Sequence, residues 1–154
     1  MARIRVAIAD DDAGVRSALS DVLAADARFD VVGTVANGDD LCRLVSDVAP
    51  DVVLLDVRMP GGGVAAAETL RGYPSAGLRG PAVIAVSAIT GAATVASLLR
   101  AGAVGYLAKG RLSALPDLVV RCANGEVVLA VPNAAEALRR LAVDGHGTAP
   151  AALP

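Results

Sequence analysis

The segment "RIRVAIADDDAGVR", residues 3–16, joins a short Val/Ile-rich run to three consecutive carboxylates and then to a helix-like stretch. A short apolar run, here residues 3–9, is typical of a buried strand. Three adjacent carboxylates disfavour one another's ionised forms unless a cation or hydrogen-bond donors lie among them. The segment therefore predicts a buried strand with a site for a polar or cationic partner at its end.

Four other short apolar runs predict strands at residues 29–35, 51–57, 81–88 and 104–108. Helix-like stretches alternate with the five predicted strands, at residues 14–25, 38–48, 64–71, 91–101 and 112–123. Strands that are apolar throughout are buried on both faces, and regular alternation with helices is typical of a parallel sheet between two helical layers. We therefore predict an α/β fold with a five-stranded, doubly wound parallel sheet.

Composition narrows the function classes. A hydrophobic content of 55% in 154 residues is enough for the core of one domain. The chain has no Trp and one Phe, and its basic residues are dispersed within a net charge of −2, so neither base stacking nor a nucleic-acid patch is indicated. The N-terminus resembles a strand rather than a leader, and no apolar run approaches membrane-spanning length. We expect a soluble, cytoplasmic protein that does not interact with membranes.

Polar side chains follow four of the predicted strands: Asp10 and Asp11 after the first, Asp56 in the third, Ser87 in the fourth and Lys109 after the fifth. Each residue alone has an ordinary structural explanation, such as a helix cap or a solvated charge. In doubly wound sheets, however, ligands bind beyond the carboxyl ends of the strands, where all these residues meet. The sequence therefore predicts one polar site at this edge.

The predicted site combines carboxylates, a hydroxyl and an ammonium group. Carboxylates are suitable ligands for Mg²⁺, which also keeps waters and binds phosphate oxygens. A carboxylate can also be the nucleophile that forms an aspartyl phosphate, and we assign this role to Asp56 in the middle strand. Ser87 and Lys109 would then bind the phosphoryl oxygens, as a hydroxyl donor and a point charge.

Four motifs resemble, in order and spacing, those of two-component response-regulator receiver domains of the CheY-like superfamily. The motifs are "RVAIADDDAGVR", "DVVLLDVRMPGGG", "VIAVSA" and "AGAVGYLAKG". They look NarL/FixJ-type, particularly in "LLDVRMP" and "AGAVGYLAK". The resemblance covers about residues 3–123 and implies a flavodoxin-like sheet with strand order 2-1-3-4-5. It also implies that residues 1–123 form a receiver domain.

The resemblance implies roles for individual residues. Asp10 and Asp11 match the acidic pair, Asp56 the phosphoacceptor, and Ser87 and Lys109 the family's hydroxyl and lysine positions. With Asp10, Asp11 and Asp56 as metal ligands, the implied cofactor is Mg²⁺.

Further positions follow from the same match. Arg58 lies where the family offers a backbone carbonyl to the metal, and Tyr106 matches the rotating aromatic that acts with Ser87 in the switch. Asp12 is the additional member of the triplet, and its expected role is to cap the first helix or to complement the helix dipole. Gly110 stands where many family members have a Pro, often in a cis peptide, so a trans bond is expected here.

The implied function is that of a phosphorylation-dependent signalling receiver, not of an enzyme beyond self-phosphorylation and autodephosphorylation. A sensor histidine kinase would be its partner, and phosphorylation would change the surface of the fourth helix, fifth strand and fifth helix and favour a homodimer. The output would be transcription regulation. Two alternatives stay open: a stand-alone receiver, and a pseudo-receiver that accepts no phosphate. A Mg²⁺-dependent aspartyl-phosphate phosphatase fits less well, because Arg58 stands where its second Asp should be.

Residues 124–154 are predicted to form a linker helix, around "VPNAAEALRRLAVDG", and a flexible tail. This length is too short for a helix-turn-helix output domain, so we expect no such domain in the sequence and no sequence-specific DNA binding by these residues.

Overall fold

Apolar strands and amphipathic helices alternate along the chain in this computed structural model, which describes residues 2–73 and 80–148 and the side chains of the last helix as far as Val143. The described strands are Ile4–Ala9 (β1), Phe29–Val35 (β2), Val52–Leu55 (β3), Ala82–Ser87 (β4), Gly105–Ala108 (β5) and Val128–Ala130 (β6). The described α-helices are Ala13–Ala24 (α1), Gly38–Val48 (α2), Gly63–Leu70 (α3), Ala92–Arg100 (α4), Leu115–Ala123 (α5) and Ala134–Thr148 (α6). No described helix is both long and apolar enough to cross a lipid bilayer.

The sheet is parallel throughout, with strand order β2-β1-β3-β4-β5-β6. Successive side chains of each strand enter opposite cores because the side-chain period of a strand is two. In β3, for example, Val53 and Leu55 pack with residues of α2, α3 and α4, whereas Val52 and Leu54 pack with residues of α1 and α5. This two-sided burial is the reason why the strands read as unbroken apolar runs.

The strand order reverses direction between β1 and β3. In the sheet, β2 lies on one side of β1, whereas β3, β4 and β5 follow on the other side. At such a switch point a crevice opens at the carboxyl ends of the two central strands, here β1 and β3. Their register pairs Ala9 with Leu55, which brings the next residues, Asp10 and Asp56, side by side. The predicted α/β class and the order of the first five strands are confirmed.

The prediction of a five-stranded sheet is wrong by one strand. Val128–Ala130 adds β6 beside β5, and α6 then packs against α4. The linker helix predicted within residues 124–154 therefore begins only after a strand of the sheet. Val131 and Ala137 are 7% and 0% exposed within the same core as Leu98 of α4. The predicted tail beyond residue 148 lies outside the described residues.

The packing of α6 predicts different effects for two neighbouring substitutions. Ala137→Asp would place a charge in the core and should lower the free energy of unfolding by about 2 kcal/mol or more. Leu138→Asp changes a side chain that is 50% exposed on the same helix and should stay within about 0.5 kcal/mol of the wild type. Urea unfolding measures both values, and equal losses in the two variants would contradict the packing of α6 on the core.

Candidate functional site

Three carboxylates meet at the crevice between β1 and β3. Asp10, Asp11 and Asp56 each contribute an oxygen, and these oxygens lie within 4.8 Å of one another. Asp10 and Asp56 are 1% and 4% exposed, whereas Asp11 is exposed. The structure therefore brings together the three acidic residues that the sequence predicted, with one carboxylate facing solvent and two in the protein.

Lys109 completes the cluster from the end of β5. Its Nζ lies 2.9 Å from Oδ2 of Asp10 and 3.4 Å from Oδ1 of Asp56. The residue starts a 3₁₀ turn, Lys109–Ala114, and no cis peptide bond occurs among the described residues, so the trans bond expected at Gly110 is confirmed. The ammonium group is thus already in contact with both buried carboxylates.

Backbone and arginine groups hold Asp10. The Asp12 N–H donates to Oδ1 of Asp10 at 2.9 Å, and the Arg16 guanidinium donates to the Asp10 carbonyl oxygen at 2.7 Å. The Asp12 side chain accepts from the Val15 N–H at 3.1 Å and so caps α1, as predicted. Sequence reasoning missed Arg16, although its place one turn into the helix after the acidic triplet was the available signal.

The electrostatics of the cluster depend on burial and like charge. Burial, and then the neighbouring charge of Asp10, raise the pKa of Asp56, and the Lys109 ammonium offsets only part of this. For Lys109, burial alone would lower the pKa, but its hydrogen bond with Asp10 and the charges of Asp56 and Asp10 together raise it. The folded protein therefore holds a protonated lysine beside Asp56, a carboxyl group whose ionisation is disfavoured.

The raised pKa of Asp56 predicts a pH-dependent stability in metal-free buffer. The folded state binds more protons than the unfolded chain between the ordinary carboxyl pKa of 3.8 and the higher folded value. The contribution of this group to the free energy of unfolding should therefore fall as pH rises through that window. Asp56→Asn removes the ionisable group and with it this loss of stability. The variant should unfold at a higher temperature than the wild type at neutral pH, and the two unfolding temperatures should converge in acid.

Thermal unfolding of both proteins across the acidic to neutral range measures this difference. Asp12→Asn is the matched control, because it exchanges a carboxylate for an amide at a helix cap outside the cluster. An Asp56→Asn protein no more stable than the wild type at neutral pH would contradict the prediction.

The donor set fits a divalent cation. Three carboxylates meet here, and within the described chain the Lys109 ammonium contacts two of them, Asp10 and Asp56. Oxygen ligands of this kind suit hard cations such as Mg²⁺ or Ca²⁺. The backbone of Arg58 adjoins the cluster, since its N–H lies 3.5 Å from Oδ1 of Asp56.

Ser87 and Tyr106 both contact the backbone of Ile89, in the loop after β4. The Ser87 Oγ accepts from the Ile89 N–H at 3.0 Å, and the Tyr106 hydroxyl donates to the Ile89 carbonyl oxygen. Ser87 is 1% exposed and Tyr106 is fully buried, and burial raises the pKa of the Tyr106 hydroxyl. The structure therefore presents Tyr106 in the inward position, joined through Ile89 to the hydroxyl of Ser87.

Comparisons with known proteins identify the family of the chain. The response regulator receiver domain family matches residues 6–120 of the chain. The uncharacterized transcriptional regulatory protein YxjL of Bacillus subtilis is 34% identical over 136 residues, which are 87% of this chain and 61% of YxjL. A protein-glutamate methylesterase/protein-glutamine glutaminase of Nocardioides sp. is 37% identical over 111 residues, which are 71% of this chain and 30% of that protein.

The signal receiver domain of the putative response regulator NarL from Mycobacterium tuberculosis is similar in structure, with a TM-score of 0.74 and 31% sequence identity. The comparison covers 82% of this chain and 100% of the NarL chain. The curated relatives, by contrast, are longer, since this chain spans 61% of the regulator and 30% of the esterase. The family model matches residues 6–120, the part of the chain in which β1 to β5 carry the acidic cluster, and by this match the chain belongs to the response regulator receiver domain family.

Proposed function

We propose that this protein is the phosphorylation-dependent receiver of a two-component system and that Asp56 is its phosphoacceptor. The observation that carries the proposal is the position of Asp56, buried beside Asp10 at the switch point of the sheet and 3.4 Å from the Lys109 ammonium. The Asp56 carboxylate has an oxygen that can accept a phosphoryl group. Asp10 and Asp11 lie beside it as further ligands for a cation, and Lys109 provides a positive charge. The family supports the same assignment.

The proposed reaction forms one bond and breaks another. A carboxylate oxygen of Asp56 attacks the phosphorus of a phosphorylated histidine or of acetyl phosphate, and the histidine nitrogen or acetate leaves with the bonding electron pair. Asp10, Asp11, Asp56 and the Arg58 carbonyl would hold Mg²⁺. When bound, the cation neutralises charge on the carboxylates and the transferring group. Lys109 then exchanges its contact with Asp56 for the phosphoryl oxygens.

The switch is proposed to run through the loop after β4. A phosphoryl group adds about −1.5 to −2 charges and strong acceptor oxygens beside the end of this strand. Ser87 can donate its hydroxyl to such an oxygen, which would draw Ile89 and the Tyr106 hydroxyl bonded to it. Because β6 covers β5 and α6 covers α4, the change would reach a surface that includes these two C-terminal elements.

The partners in this proposal are a sensor histidine kinase and, after phosphorylation, a second copy of the chain. Similarity to a transcriptional regulator supports a role in transcription regulation. A cytoplasmic location is part of the same proposal. We propose no DNA binding by these 154 residues alone, because their basic residues form no clustered patch in the sequence.

Incubation with acetyl phosphate and Mg²⁺, followed by intact-mass measurement, tests the proposal. A receiver should gain one phosphoryl group per chain, in a bond that is labile to hydroxylamine. Sustained hydrolysis of a generic phosphate ester with multiple turnovers would instead support a phosphatase. A wild-type chain that gains no phosphoryl group would support a pseudo-receiver.

A further inference from the structure

The N-terminus of α2 is in direct contact with the loop that follows the proposed phosphoacceptor. This loop, residues 56–62, connects β3 to α3 and includes both Asp56 and Arg58. The Gly38 N–H donates to the Pro60 carbonyl oxygen at 2.8 Å. Asn37 orients this end of the helix, because its side chain accepts from the Asp40 N–H at 2.8 Å and caps α2.

The contact leaves no room for a side chain at Gly38. A Cβ there would overlap the Gly61 carbonyl oxygen and lie 2.5 Å from the Gly61 carbonyl carbon. Both are backbone atoms, so no rotamer change can relieve the overlap. Gly61 has a φ of 69°, a conformation that glycine adopts freely, and this turn brings its carbonyl group against the helix.

The same loop is closely packed on the side of Asp56. A Cβ at Gly62 would lie 2.8 Å from the Asp56 carbonyl oxygen, and the Gly62 N–H donates to the Met59 carbonyl oxygen at 2.9 Å. Met59 is 3% exposed, so the middle of the loop is also anchored in the core. The loop is tightly packed both against Gly38 and near Asp56. A displacement at Gly61 therefore also moves the backbone between Asp56 and Met59.

We propose that Gly38 is a positioning residue for the cation site, acting through the loop backbone on Arg58 and Asp56. The inference rests on the proposed function, in which the Arg58 carbonyl and the Asp56 carboxylate are ligands. Gly38 touches neither of them. Its lack of a side chain lets α2 approach the loop and hold the ligand-bearing backbone in place.

Gly38→Ala tests the proposal by direct metal binding rather than by activity. Electron paramagnetic resonance measures free Mn²⁺, used as the probe, over a titration of the full chain. Changes to groups that orient metal ligands typically cost 10- to 100-fold in affinity, and we expect a dissociation constant for Mn²⁺ at least about 10-fold higher than that of the wild type. Phosphorylation by acetyl phosphate should then need more Mg²⁺ but recover at saturating Mg²⁺.

Gly33→Ala is the matched control. A Cβ at Gly33 in β2 would also press on α2, but only on the end of the Leu44 side chain, with contacts of 2.7 and 2.8 Å. This variant strains the packing of the same helix without touching the loop, so its affinity for Mn²⁺ should stay close to that of the wild type. Circular dichroism of both variants without metal checks that they are folded.

A wild-type measurement keeps the proposal testable if Gly38→Ala fails to fold. Binding of Mg²⁺ should slow hydrogen exchange at the Gly38 amide, because a fixed loop holds the Pro60 carbonyl that accepts from it. Unchanged exchange there, equal Mn²⁺ affinities of Gly38→Ala and wild type, or equal losses in Gly38→Ala and Gly33→Ala would each overturn the inference. A wild-type chain that binds no Mn²⁺ would instead refute the metal site of the proposed function.

Discussion

Asp56→Asn is expected to abolish the gain of a phosphoryl group from acetyl phosphate. An amide oxygen at this position keeps the shape of the side chain but lacks the charge that makes the carboxylate a nucleophile. Other carboxylates in the cluster should not replace it, because Asp11 faces solvent and Asp10 is engaged by the Asp12 N–H and by Lys109. Intact-mass measurement over a time course with excess acetyl phosphate and Mg²⁺ gives the result.

Asp12→Asn is the control for this experiment. Its side chain lies in the same acidic triplet, yet it caps α1 rather than joining the cluster, and Asn is an equally good cap. We expect the Asp12→Asn protein to be phosphorylated at a rate close to that of the wild type. Phosphorylation of Asp56→Asn at the wild-type rate would assign the phosphoacceptor to another residue.

Removal of divalent cations with EDTA is expected to reduce phosphorylation to background. The attacking oxygen of Asp56 must approach an anionic phosphoryl group while two other carboxylates lie within 4.8 Å of it. Lys109 supplies one positive charge, which is already shared between Asp10 and Asp56. In a buried site this repulsion is less screened than in water, so a divalent cation is needed to offset it.

Addition of Mg²⁺ in excess of EDTA should restore the reaction, which separates loss of the cation from damage to the protein. Asp10→Asn should require a higher Mg²⁺ concentration than the wild type, because it removes a buried ligand charge. Undiminished formation of the adduct in excess EDTA would contradict the metal requirement and leave Lys109 as the group that offsets the charge.

Much of the fold was predictable because the relevant signals are local. Each of β1 to β5 is a short apolar run between turn residues, and unbroken apolar strands alternating with helices leave few topologies other than a doubly wound parallel sheet. The prediction failed at β6, whose three residues are only half-buried and follow Val127, which is 60% exposed. A strand this short gains its stability from pairing with β5, a contact that no local pattern reports.

The candidate site also combines features that the sequence predicts with features that depend on tertiary packing. The sequence by itself determined that Asp10, Asp11, Asp56 and Lys109 share one edge, because every parallel strand ends on the same side of its sheet. Only the tertiary structure decided that the Lys109 ammonium contacts two of these carboxylates, that Tyr106 lies inward on Ile89, and that Gly38 abuts Gly61. Such contacts join residues far apart in the chain, and their distances depend on how helices and loops pack on the sheet rather than on any local pattern.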